Sequence, residues 1–164
     1  MKPTNKIQHL IFAAATLLTV CSTSAFATVY EFNDMNSFKT AYNSAQAGDT
    51  IRMTADTTVQ QLNTTGAVSA TDPIYKAVII DLNGFTLTTT GGWGGMMLGG
   101  YASVINGTLL HKGNTCAIKA YEVDRLENLT IIIESAKSDT GGVSLRNHNT
   151  MGKAHINTIK NVKM

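Results

Sequence analysis

At 164 residues, with 43% hydrophobic and 15% charged residues, 14 Gly, 2 Pro and 2 Cys, the chain has room for one modest domain. It is neither collagen-like, nor disulfide-framed, nor a disordered polyampholyte. The 13 Lys and Arg exceed the 11 Asp and Glu by two, and Lys2 and Lys6 lie in the first 27 residues, so the remainder carries no net charge. A balanced chain lacks the basic surface that neutralises phosphates, which argues against nucleic acid as a partner.

Residues 1–27 have the order of a secretory leader: Lys2 and Lys6, an apolar run from Leu10 to Val20, then a polar stretch ending in the small-x-small triplet Ala25-Phe26-Ala27. The expected cut follows Ala27. A membrane anchor needs about 20 apolar residues, and this run is far shorter, so no membrane span is expected after cleavage. Lipidation at Cys21 is disfavoured by the branched Val20 before it. The expected mature chain, 28–164, keeps Cys116 alone, between small and apolar neighbours, which reads as a buried core thiol. Export places the protein in the periplasm, at the cell surface or outside the cell.

Along the mature chain, Val29-Tyr30-Glu31-Phe32 alternates as a half-buried strand does, and Asn33-Asp34 breaks it. Phe38, Ala41, Tyr42 and Ala45 then fall on one face of an amphipathic helix over Ser37 to Ala47, with Asp34 or Asn36 as its cap. Gly48-Asp49 turns the chain into a strand at Thr50-Ile51-Arg52-Met53. Residues 54–76 are rich in Thr, Gln, Ser and Ala and read as short strands and loops. From Ala77 a β-like run carrying one asparagine recurs four times, at Asn83, Asn106, Asn128 and Asn161. Such periods belong to stacked repeats, whose units bury their apolar faces only against each other. Asn tolerates the left-handed conformation and its amide ladders with equivalents above and below, so each asparagine is expected at a corner.

The helix, Ala47-Gly48-Asp49-Thr50-Ile51, the run Val78 to Leu87 and Ile105-Asn106-Gly107-Thr108-Leu109 together resemble the N-terminal portion of right-handed parallel β-helix proteins of the pectate-lyase-like superfamily. The resemblance covers about the whole mature chain. It implies an all-β solenoid over 28–164, with an N-terminal capping region of about 28–53 and coils over about 54–164. The last repeat stops within a strand at Met164, which reads as a fragment of a longer protein or as an open end that stacks on another subunit. It further implies a polysaccharide partner, polysaccharide lyase or glycoside hydrolase chemistry, and Ca²⁺ as a cofactor. The alternative is a non-catalytic adhesin or structural module, and a third reading is a product with no independent fold.

No complete catalytic constellation is present. The polar residues that neighbouring coils would project together are Asp124, Arg125, Glu127, Glu134, Arg146 and His148. Arg125 and Arg146 are spaced to stack on successive coils, although all six also suit a solvated surface. Trp93 and Tyr101, in or beside the glycine-rich stretch from Gly91 to Gly100, are candidates for stacking on sugar rings if that stretch is a flexible excursion; the alternative is that Trp93 folds back over the coils. His111, His148 and His155 form no metal-binding spacing, and Asp81 alone, read as an outward strand or turn residue, is no calcium site. Phosphate-binding loops and a nucleophile elbow are absent.

Overall fold

The computed structural model describes residues 26–63, 76–92, 94–134, 141–146 and 154–164. Strand β1 (Val29–Phe32) leads into helix α1 (Met35–Ser44). The helix starts two residues before Ser37 because Asp34 is its cap: the Asp34 carboxylate accepts from Ser37 N at 2.7 Å and Ser37 Oγ accepts from Asp34 N at 3.1 Å. This reciprocal pair satisfies amide groups that the first turn otherwise leaves unbonded. Phe38, Ala41 and Tyr42 are buried, and Phe38 meets Phe32 edge-on with ring centroids 5.2 Å apart. Gly48, at φ 90°, turns the chain into β2 (Thr50–Met53), which lies parallel to β1.

The rest of the described chain is strand and connection: β3 (Thr57–Val59), β4 (Leu62–Asn63), β5 (Ile79–Asp81), β6 (Thr86–Thr89), β7 (Met96–Leu98), β8 (Ala102–His111), β9 (Ile118–Ala120), β10 (Glu122–Ile133), β11 (Val143–Leu145) and β12 (His155–Lys163). Every pairing is parallel. One sheet runs β1-β2-β5-β8-β10-β12, with β3 and β6 extending it beside the second half of β8; the other runs β11-β9-β7-β4. The protein is therefore mostly β, with a single helix among the described residues, and the chain passes repeatedly between two parallel sheets.

Register explains the core. Tyr30, Ile51, Ile80, Val104, Leu126 and Ile159 pair in succession across the larger sheet. The four from Ile51 to Leu126 are fully buried. Leu62, Met96, Ile118 and Val143 form the facing column of the smaller sheet. Because parallel pairing stacks like on like, one apolar position per strand builds a continuous interior.

The asparagines sit where their conformation is needed. Asn83, Asn106, Asn128 and Asn161 all have φ between 52° and 59°. Asn161 Nδ2 donates to Asn128 Oδ1 at 3.0 Å, Asn128 to Asn106 at 3.1 Å, and Asn106 to Asp81 at 3.2 Å. Asn83 instead donates to the Met53 carbonyl at 3.2 Å.

One expectation needs correction. The glycine-rich stretch is not a loose excursion: Met96 and Leu98 of β7 are fully buried, and a Cβ on Gly95 would collide with Thr89 Oγ1, the Ala117 carbonyl and His111 Nδ1. There glycine permits close approach. Asp81 is the outward strand residue expected, at the end of β5, but it is covered by its partners: it accepts from Arg52 Nε at 3.1 Å, Asn83 N at 2.9 Å and Asn106 Nδ2. Cys116 is a buried free thiol, as its neighbours imply.

Candidate functional site

Along the first half of β10 and β12 the outward side chains are mostly polar, and parallel register lines them up from strand to strand. At the start of the strands, Glu122 pairs with His155, and Tyr101 N donates to the Glu122 carbonyl at 2.9 Å. The Tyr101 ring packs edge-on against His155, with centroids 5.6 Å apart. Tyr101 is held at φ 62°, a conformation uncommon for a bulky residue, and it remains 46% exposed.

Asp124 lies one step along. Ser103 Oγ donates to Asp124 Oδ2 at 3.3 Å and Asn157 Nδ2 donates to Oδ1 at 3.3 Å, so hydroxyl, carboxylate and amide come from three adjacent strands. Arg125 reaches both flanking carboxylates, with Nε 3.9 Å from Asp124 and Nη1 3.4 Å from Glu127. Lys160 Nζ donates to Glu127 Oε1 at 2.9 Å. The Lys160 ammonium, through its hydrogen bond and its charge, holds the Glu127 carboxyl below its ordinary range, and Arg125 adds to this. Glu127 is accordingly an anionic acceptor at neutral pH and no proton donor.

Asp124, Arg125 and Glu127 are thus brought together on one face. Arg146 is not: it follows β11, its N–H donates to the Ala120 carbonyl at 2.9 Å, and it belongs to the smaller sheet. Arg125 pairs in register with Thr158, which removes the expected stacking of the two arginines. Glu134 makes an exposed ion pair with Lys112 at 3.3 Å. Trp93 and His148 lie outside the described residues.

Asn157, Lys160 and Ser103 went unnoticed in the sequence, yet a signal was present. The 33-residue interval from Asn128 to Asn161 also carries Asp124 to Asn157 and Glu127 to Lys160. Among the described residues no group of three His, Cys, Asp or Glu side chains is arranged to hold a metal ion, so they do not fit a Ca²⁺ site. No helix among them is long and apolar enough to cross a membrane. This face can accept and donate hydrogen bonds beside an exposed aromatic ring. Comparison with known proteins matched no family model, no curated protein and no solved structure.

Proposed function

We propose that the chain is an exported right-handed parallel β-helix protein that binds a polysaccharide on the outward face of β8, β10 and β12. The β-helix reading is supported by the all-parallel register and by the positive-φ asparagines, which hydrogen-bond from strand to strand. The binding reading rests on one observation: Asp124 is fixed between the buried Ser103 hydroxyl and the exposed Asn157 amide, on the strands whose starts carry the 46% exposed Tyr101. Sugars present hydroxyls in a plane and an apolar ring face, and polar groups with an aromatic satisfy both. Binding is the reading taken because Glu127, the acidic group beside Arg125, is tied to both Arg125 and Lys160 as an ionised acceptor.

The test is retention on neutral and uronate-containing polymers in affinity electrophoresis, with D124A and Y101A as variants. Each variant is expected to weaken retention about tenfold, the effect of losing one desolvated polar or stacking contact. Failure of every polymer to retard the wild-type protein rejects the reading. Unsaturated products or new reducing ends in the same mixtures would replace binding with lyase or hydrolase chemistry.

The second reading, a non-catalytic surface module, is favoured by the state of β12. Among the described residues it pairs only with β10, and Ile159 is 60% exposed where Ile51, Ile80, Val104 and Leu126 of its column are buried. In this reading the exposed β12 edge pairs with the β12 edge of a second copy. Concentration-dependent mass in light scattering supports it, and a constant monomer mass removes it.

A further inference from the structure

Asp49 presents a buried carboxylate with an unusual set of partners. Its side chain accepts from Thr28 N at 2.7 Å through Oδ1 and from Gln46 N at 2.7 Å through Oδ2. The residue is only 7% exposed, and no cation pairs with it among the described residues. Buried carboxylates ordinarily have a charged partner. The backbone around it is fixed on both sides: Thr50 N donates to the Thr28 carbonyl at 2.9 Å, and Ile79 N donates to the Asp49 carbonyl at 2.9 Å. The nitrogen of Thr28 is therefore aimed at Asp49 by strand pairing. The residues just before it are open to solvent, with Phe26 92% exposed.

We propose that Asp49 is the receptor for the amino terminus created when the leader is cut after Ala27, so that processing turns a neutral backbone contact into an ion pair locking β1 in place. The inference rests on the leader reading above. Hydrolysis of the Ala27–Thr28 peptide bond consumes one water, leaves a carboxylate on Ala27 and an ammonium on Thr28, and needs no other reactant. The new ammonium keeps the position of the amide nitrogen while gaining a full charge. Charge-assisted hydrogen bonds are roughly twice as strong as neutral ones. The other charged and titratable groups on the surrounding elements are Tyr30 and Glu31 in β1, Asp34 capping α1, Lys39 and Tyr42 in α1, Arg52 in β2, Lys76 before β5 and Asp81 in it. Arg52 is held by Asp81, and Lys76 Nζ by the carbonyls of Tyr42 and Asn43 at 2.7 and 2.9 Å, so neither is spent on Asp49.

The sign of the pH effect follows from linkage. An α-amino group paired with a carboxylate has a folded pKa above its unfolded value of about 7.7–8.0. Its stabilisation is complete below the unfolded value and disappears as pH rises through the folded one. The experiment compares thermal unfolding from pH 7 to 10 for the mature protein beginning at Thr28, the same protein acetylated at Thr28, and a form that retains Ala27. The acetylated form keeps the N–H contact without the charge, and the extra residue moves the amino group by about 3.8 Å. The free-terminus protein is expected to lose about 3 °C more than either control across this range, and D49N is expected to abolish the difference. Parallel curves for the three forms overturn the pairing without any substitution. The leader reading is tested separately by the intact mass of the product exported from the full-length chain: a start at Thr28 supports it, and a start elsewhere overturns the proposed processing whatever the unfolding curves show.

Discussion

The two ends of the larger sheet have the same kind of side chains in the same register, and only one end is covered. At the β1 end, α1 lays Phe38 and Tyr42 beside Phe32, and Ile51 and Met53 are fully buried. At the β12 end, Ile159 continues the column of Ile51, Ile80, Val104 and Leu126 yet is 60% exposed, and Leu145 of β11 is 57% exposed. Residue identity does not separate these positions. What separates them is whether another layer lies above, so stability in this protein should fall from the helix-covered end toward β12.

The sharpest way to break that comparison is a pair of truncations. Phe38→Ala empties a buried site that touches both Phe32 and Tyr42, and is expected to destabilise by about 3–5 kcal/mol. Ile159→Ala removes a largely solvated side chain and should change stability by less than about 1 kcal/mol. Urea unfolding of the two variants measures both. Similar losses would mean that the β12 end is covered in solution.

The asparagine ladder gives the next largest effect and crosses from one end to the other. Asn106 donates to Asp81 and accepts from Asn128, whereas the described contact of Asn161 is a single donation to Asn128. Asn106→Ala loses two hydrogen bonds and places alanine at φ 59°, a combined cost of about 2–3 kcal/mol. Asn161→Ala, at φ 52° with one exposed bond, should lose about 1–2 kcal/mol. Glycine at either position should restore the conformational part alone. An equal loss at the two sites would show that the ladder does not strengthen toward the interior.

These elements were legible in the sequence to different degrees, for physical reasons. The helix was visible because Phe38, Ala41 and Tyr42 keep its period, and its start was displaced only because two residues, Asp34 and Asn36, suited the cap. The asparagines stood out because few residue types tolerate positive φ, although only Asn83 lies between strands and Asn106, Asn128 and Asn161 lie within β8, β10 and β12. The glycine-rich stretch misled, since glycine serves a loose loop and a close backbone approach equally well, and only the neighbours of Gly95 decide between them. For the polar face, Asp124, Arg125 and Glu127 could be named from their clustering. Arg146 could not be dismissed, because the sequence does not show that it falls on the other sheet. Asn157 and Lys160 required the register of β10 with β12, which the repeat interval carries but composition does not.

Between the two ends lies a buried titratable group that should make the interior sensitive to acid. His111 is fully buried in register with Thr89 and Ile133, its Nδ1 is 2.9 Å from Thr89 Oγ1, and its Nε2 has no hydrogen-bond partner among the described residues. Burial holds the imidazole below its ordinary range, opposed in part by the nearby Thr115 backbone. The folded state therefore disfavours the proton that the unfolded chain accepts. Stability should be at its plateau above the unfolded value of about 6.5 and decline as pH falls below it. Urea midpoints between pH 7.5 and 5 measure the decline. H111Q, which cannot titrate, should flatten this part of the profile, and an unchanged slope would assign it to other groups.

The smallest effects should come from the ion pairs, and here the two ends differ again. Arg52 Nε contacts the buried Asp81 at 3.1 Å, so Arg52→Ala leaves a covered carboxylate with only the Asn83 and Asn106 N–H donors. A fully buried pair would lose more, but the Arg52 side chain is 42% exposed and water enters when it is removed, so a loss of about 1–2 kcal/mol is expected. Lys160 makes the shorter contact, 2.9 Å to Glu127, yet its side chain is 62% exposed and Arg125 remains beside Glu127. Distance alone would rank this pair first. Solvent screening reverses the ranking, and Lys160→Ala should leave the urea midpoint unchanged within error, at low and at high salt. A loss for Lys160→Ala as large as that for Arg52→Ala would show that the β12 end is shielded from water, and the contrast between the two ends of the sheet would no longer hold.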